Sequence, residues 1–223
     1  METSRTIRER RSVREFTDRA VDKQTIANLL ELARCAPSGA NLQPGQFHVL
    51  TGKPLADLNA QLTAGIAADR PQVSEYSYFP NPLSKQLKAR QRTAGYALYQ
   101  ALGIEKRDLD GRRAQFERNY RFFDAPVGII ISIDRDMGKG CWMDMGMAIQ
   151  TFLLAVHDAG LAACGIGAIA NYGDLVHEVL ELPNDQVVVA GIALGYAADA
   201  AVNDFRTERA ALAEFTTFRG FDG

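Results

Sequence analysis

The chain is poor in the residues that build metal centres and disulfide frameworks. Its 223 residues include three cysteines, three histidines and one tryptophan. Cys35, Cys141 and Cys164 are odd in number and show no CxxC spacing, which argues against a disulfide framework or a zinc knuckle. Their apolar or Gly/Ala-rich surroundings fit buried thiols in a reducing cytoplasm, which is the expected location. His48, His157 and His177 form no HxH, HxxxH or HExxH pair, so no metal is expected. There is no GxSxG nucleophile elbow. No run of 18 apolar residues occurs, so no membrane-spanning helix is expected. The opening METSRTIRERRS has charges but no apolar core behind them, and does not read as a secretory signal. Charge of one sign is missing too. With 25 basic and 27 acidic residues the net charge is −2, without the basic excess of a nucleic-acid-binding protein. Repeats and low-complexity tracts are absent.

What remains is ordinary globular material, 47% apolar and 23% charged. The length fits one domain, 1–223. Ser4 is placed to cap a helix over 5–11, and Asp22 one over 23–35 with Ile26, Leu29, Leu30 and Ala33 on one face. Pro37 and Gly39 stop that second helix. Residues 46–52 read as a strand, 55–66 as a helix, 69–83 as a loop and 84–121 as mostly helical and basic. The β-branched run 126–134 reads as a buried strand. Residues 143–160 read as a helix whose apolar positions go nearly all the way round, as in a domain centre or a subunit interface. A short helix over 175–180 and a buried strand over 186–196 follow. The order suggests an α+β layer fold and not alternating βαβ units.

Few motifs carry chemistry. GIG at 165–167 fails as a dinucleotide fingerprint, because Ala170 stands at the third glycine position. Asp134 and Asp136 read as the close of a strand. Arg10, Arg11, Ser12 and Arg14 put three guanidinium groups and a hydroxyl within five residues at the end of the first helix. Arginine offers paired donors to phosphate oxygens, so this is either a phosphate grip or a solvated basic helix end. The run 37–44, PSGANLQP, is either a helix stop or a loop whose backbone can approach a flat polar ligand.

Together these segments resemble the FMN-dependent nitroreductase family. The likeness runs through RRSVREF (10–16), APSGANLQP (36–44), RFFDAPVGIIISID (121–134), DMGMAIQTFLLAVHDAGLAACGIGA (144–168), the strand ending at 196, Asn203 and RTERAAL (206–212). The subgroup it looks like is the nitrobenzoate-reductase-like one. The resemblance implies a three-layer α/β/α sandwich with a mostly antiparallel central sheet, and a homodimer with FMN at its interface. It implies that Arg10, Arg11, Ser12, Arg14 and Arg209 hold the FMN phosphate and ribityl chain. Pro37, Ser38, Gly39 and Asn41 match the loop under the isoalloxazine edge, often supplied by the partner subunit. Gly167 and Ala168 match the backbone that faces flavin N5. Gly45, Tyr76, Arg90 and Asn119 are the substrate or lid candidates. The family uses no dedicated catalytic residue, since the chemistry belongs to the cofactor.

The implied activity is NADH- or NADPH-dependent, ping-pong reduction of nitroaromatic or similar small planar acceptors. The alternatives are another reaction of the family, such as reductive dehalogenation, dehydrogenation or flavin conversion, or a flavin-binding module without turnover. Two positions depart from the family pattern. Gly45 stands where members commonly carry Trp, which should loosen the wall there, and CGIGA replaces a CPQA-like stretch, which frees the backbone at Gly165. Charge is also uneven. Residues 84–121 hold ten basic and four acidic residues, a net +6 that leaves −8 for the rest. A basic excursion over about 69–121 is expected to form a lid, either as a solvated helical pair or as a positive rim over the flavin.

Overall fold

The computed structural model describes residues 2–221. Met1, Asp222 and Gly223 of the domain expected over 1–223 lie outside the described residues. Four strands form one antiparallel sheet in the order β1-β2-β4-β3. They are β1 (Gln46–Thr51), β2 (Val127–Asp134), β3 (Ala162–Ile166) and β4 (Gln186–Gly195). The two central strands are the apolar runs. β2 is buried over its first seven residues, and β4 at nine of its ten positions.

Alternation along β2 builds two cores. Val127, Ile129, Ile131 and Ile133 face α2 (Lys23–Ala33) and α6 (Lys139–Asp158), meeting Ile26, Leu29, Phe152 and Val156. Ile130 faces α3 (Gly52–Ala67) and α7 (Gly173–Leu180), meeting Leu58, Leu62, Leu175 and Val176. Gly128 is required on that second face, because a Cβ there would stand 2.5 Å from Leu55. Helices on both faces of the sheet make the three layers.

Asp22 caps α2 as expected, accepting from Thr25 N–H at 2.8 Å. The first helix, α1 (Thr3–Glu9), ends earlier than 11 and is entered from Glu2, not capped by Ser4. The cause is a competing partner. Val13 N–H donates to Ala163 O at 3.1 Å, and Ser12 bridges Ala163, so Arg10–Arg14 leave the helix and run extended beside β3. β3 itself escapes a reading by propensity. Its AACGI sequence has small side chains with little strand preference, and pairing with β4 makes it a strand.

α6 begins at Lys139, four residues before the expected start, and is not buried all round. Met143 is 70% exposed and Met147 39% exposed, so one apolar flank faces outward from the chain. The thiols also divide: Cys164 is buried, whereas Cys35 is exposed, contrary to expectation. The basic excursion contains α4 (Lys85–Ala101) and α5 (Leu109–Glu117), and α4 buries no residue. α8 (Leu212–Phe215) lies near the end of the chain, and its Glu214 pairs with Arg90 at 2.9 Å. Among the described residues no helix is long and apolar enough to cross a membrane, and no cluster of His, Cys, Asp or Glu is suited to a metal ion.

Candidate active site

The two chain ends meet through one buried side chain. Asn203 is 2% exposed. Its Oδ1 accepts from Arg14 N–H at 2.9 Å, and its Nδ2 donates to Glu15 O and Ala198 O at 2.9 and 3.0 Å. That knot carries the segment after Asn203 to the N-terminal arginines. The result is a cavity of about 760 Å³ lined by Arg8, Arg10, Arg11, Arg14, Arg206 and Arg209, with Ser12 and with Ala94, Gly95 and Leu98 of α4. Six arginines converge there and no carboxylate lines the wall.

Such a cavity is built for an anion. Burial, and then the neighbouring charge of Arg209, lower the Arg10 pKa below its ordinary value. Arg11 Nε is shut from solvent with no hydrogen-bond partner. Arg206 and Arg209 spend one nitrogen each on nearby carbonyls of their own segment, at 2.9 to 3.4 Å. Buried Cys164 lies within reach of these arginines; burial pushes its thiol pKa up, while Arg14, Ser12 and Arg10 act the other way. From Cys164 the chain needs three residues, about 10 Å of strand, to reach Gly167.

A second cavity, of about 250 Å³, lies under the loop 36–45. It is lined by Pro37, Ser38, Gly45, Phe47, Leu30 and Asp144 among others, and is mostly apolar. The loop is tightly wound. Ala40, Asn41 and Gln43 hold left-handed φ of 50°, 58° and 50°, and Gly45 has φ 94°. Non-glycine residues in that region are costly and need local support. Ser38 Oγ accepts from Gln43 N–H at 2.9 Å, and Asp144 Oδ2 accepts from Gly39 N–H at 3.0 Å. Asp144 lies near the start of α6, and the arginine cavity near its far end, where His157 and Arg11 share a smaller cavity. Thirteen residues of helix, about 20 Å, separate those two ends.

Residues 7–196 match the Nitroreductase family. The chain belongs to that family. It is 37% identical over 214 residues to a 4-nitrobenzoate reductase of Pseudomonas putida, covering 96% of this chain and 93% of that one. An FMN- and NADPH-dependent nitroreductase, NfnB, from Sphigopyxis sp. strain HMH has the same fold with TM-score 0.97, at 40% identity, over 99% of this chain and 100% of that chain. NfnB of Mycobacterium smegmatis, solved with NADPH, has TM-score 0.92 at 32% identity, over 97% of each chain.

Within this nitroreductase, the structure gathers Arg10, Arg11, Ser12, Arg14 and Arg209 around one cavity. Pro37 and Ser38 line the second, with Gly39 held beside it by Asp144 and Asn41 exposed. Gly45 lines it too, but no gap follows from the missing Trp: a Cβ there would already stand 3.0 Å from Met145. Gly165 is exposed, with open space where a Cβ would be. Three lid candidates are engaged elsewhere. Tyr76 OH donates to Val189 O at 2.6 Å, its ring lies 4.9 Å from Trp142, and burial raises its pKa to about 12. Arg90 is paired with Glu214. Asn119 donates to Phe116 O.

The aromatic that reaches the site is Tyr78, two residues on. A Cβ on Gly167 would stand 2.7 Å from its ring, and the side chain remains 63% exposed. The root of this segment is fixed. Arg70 pairs with Asp174 and Glu178, Val73 N–H donates to Asn171 O, and Glu75 accepts from Arg135 and from Val188 N–H. Arg8, Arg206, Tyr78, Asn203 and Asp144 are candidate site residues that reading by motif misses. Only the position of Asn203 just before the RTERAAL run hinted at one of them.

Proposed function

We propose that this chain is an FMN-dependent oxidoreductase that uses NADH or NADPH to reduce nitroaromatic or similar small planar acceptors, and that it works in the cytoplasm as a homodimer. The carrying observation is the six-arginine cavity without a carboxylate, with Arg10 half-buried against Arg209. A dianionic phosphate suits that wall. The names of the relatives, a 4-nitrobenzoate reductase and FMN- and NADPH-dependent nitroreductases, support the same reading.

Arg10, Ser12, Arg14 and Arg209 hold the phosphate, with Arg8 and Arg206 adding positive potential. Gly167 and Ala168 lie along the ring edge, where a backbone N–H can donate, and open space beside Gly165 admits a flat group to the sheet edge. Bound FMN would supply the redox chemistry, accepting electrons from the nicotinamide and passing them to the nitro group. Tyr78 closes one side of that place against water. The loop Pro37–Asn41 completes the ring site of a second copy, because in its own chain it lies about 20 Å of helix away from the arginines. The exposed α6 flank at Met143 and Met147 is the surface for that copy. The excursion 69–121 covers the arginine cavity through α4, as a lid rooted at Arg70 and Glu75.

The purified protein should be yellow, release FMN on denaturation, and oxidise NADH or NADPH when 4-nitrobenzoate is added. A colourless protein that FMN does not reconstitute refutes the reading.

A further inference from the structure

Arg11 does not share the orientation of Arg10, Ser12 and Arg14. In extended backbone, successive side chains point to opposite faces. Arg11 thus turns toward a cavity of about 230 Å³ that it shares with His157, Leu153, Leu161 and Ala197. Arg11 Nε and His157 Nε2 are both shut from solvent, and neither has a hydrogen-bond partner. Among the described residues no carboxylate lines this cavity, although the charge of Asp158 acts on His157 from beside it. Two unpartnered buried nitrogens on residues that line one cavity would both be satisfied by an acidic oxygen.

We propose that this oxygen is the Asp144 carboxylate of a second copy of the chain. The inference rests on the dimer reading above. Met143, Met147, Gln150, Leu154 and His157 recur at three- and four-residue steps and so form one stripe along α6. Met143 and Met147 are the exposed end of it. A two-fold axis makes an interface self-complementary, so residue i meets j and j meets i. An axis crossing near Gln150 sets Met143 of one copy against His157 of the other, and Asp144 is the residue next to Met143. In its own chain Asp144 uses Oδ2 to hold Gly39 N–H, which leaves its other oxygen for the partner. The Arg11 cavity shares Arg10 and Arg11 with the large arginine cavity. Delivering Asp144 to it therefore also carries the loop Pro37–Asn41 to the neighbouring copy's phosphate grip. Arg11 is, on this account, the latch that registers one half-site on the other.

The test is a double-mutant cycle on the FMN-loaded protein, with the dimer dissociation constant read from a sedimentation dilution series. Arg11→Gln and Asp144→Asn each remove one charge, and the asparagine keeps an oxygen for Gly39 N–H. Each should raise the dissociation constant at least tenfold, and the pair together little more than either alone. FMN retention should fall in step with the dimer and not ahead of it. Single variants that leave a wild-type-like dimer, or two losses that simply multiply, overturn the pairing alone. A wild-type chain that is FMN-loaded yet monomeric overturns the dimer, and the pairing with it.

Discussion

Replacing Arg10 with alanine should move two stabilities in opposite directions. In the chain without an anion, the Arg10 charge is disfavoured by burial and by Arg209. Removing it relieves that repulsion, so the FMN-free protein should melt no lower than wild type, and slightly higher at low salt. With FMN bound, the same guanidinium makes a charge-assisted contact to phosphate worth roughly 1.5–3 kcal/mol. Its loss corresponds to a dissociation constant about 10- to 150-fold higher, at about 1.4 kcal/mol per factor of ten. Linkage turns this into a melting difference. At an FMN concentration about 100 times the wild-type dissociation constant, ligand adds about 2.7 kcal/mol to stability. A variant weakened about 30-fold gains only about 0.9 kcal/mol at that concentration. Flavin-fluorescence titration and thermal unfolding with and without FMN measure both arms. A variant that is less stable without FMN, yet binds it as well as wild type, refutes the assignment of Arg10 to an anion.

Asn203→Ala removes three hydrogen bonds from a buried knot, at about 1 kcal/mol each, and should lower stability by about 3 kcal/mol in urea unfolding while weakening FMN retention. Tyr78→Ala should keep FMN but raise KM for nitroaromatic acceptors several-fold more than for NADH or NADPH; equal shifts for donor and acceptor would remove Tyr78 from the acceptor side. Burial lowers the His48 pKa below its ordinary 6.5, so the unfolded chain binds the proton more readily. The contribution of His48 to stability is therefore full above about pH 6.5 and is lost as pH falls toward the folded pKa. Urea midpoints at pH 8 and pH 5 check the sign, and His48→Gln should flatten the difference.

The sequence shows the central strands plainly, because β2 and β4 are mostly apolar runs rich in valine and isoleucine and buried on both faces. It hides β3, whose small residues become a strand only through pairing to β4. The same contact explains the first helix. Local propensity favours carrying it to residue 11, but the bond from Val13 to Ala163 pulls the arginines out straight. Their closeness in the chain was legible, but the choice between a phosphate grip and a solvated helix end was not settled by the residues themselves. Arg209 was legible through family resemblance alone, since nothing local announces that Asn203 brings it back to Arg14. Tyr76 is turned away from Gly167 for a reason that spacing does not show. Its hydroxyl has a buried acceptor in Val189 O, which turns the ring inward and leaves Tyr78 to face Gly167.

Division of the site along α6 has a thermodynamic consequence. If the arginines and the ring loop that serve one FMN belong to different chains, cofactor binding and dimerisation are linked, and linkage is reciprocal. FMN should tighten the dimer by the same factor by which dimerisation tightens FMN. The basic excursion then matters at two stages. Its α4 lines the arginine cavity through Ala94, Gly95 and Leu98, while the +6 surplus of residues 84–121 would raise the local concentration of anionic nucleotide before any contact forms. High salt should therefore slow FMN association, and dilution should weaken FMN affinity even at constant salt. An apparent FMN affinity that stays constant across a hundredfold range of protein concentration spanning the dimer dissociation constant would mean that each chain holds its cofactor alone, and that the loop at residues 37–41 serves its own subunit.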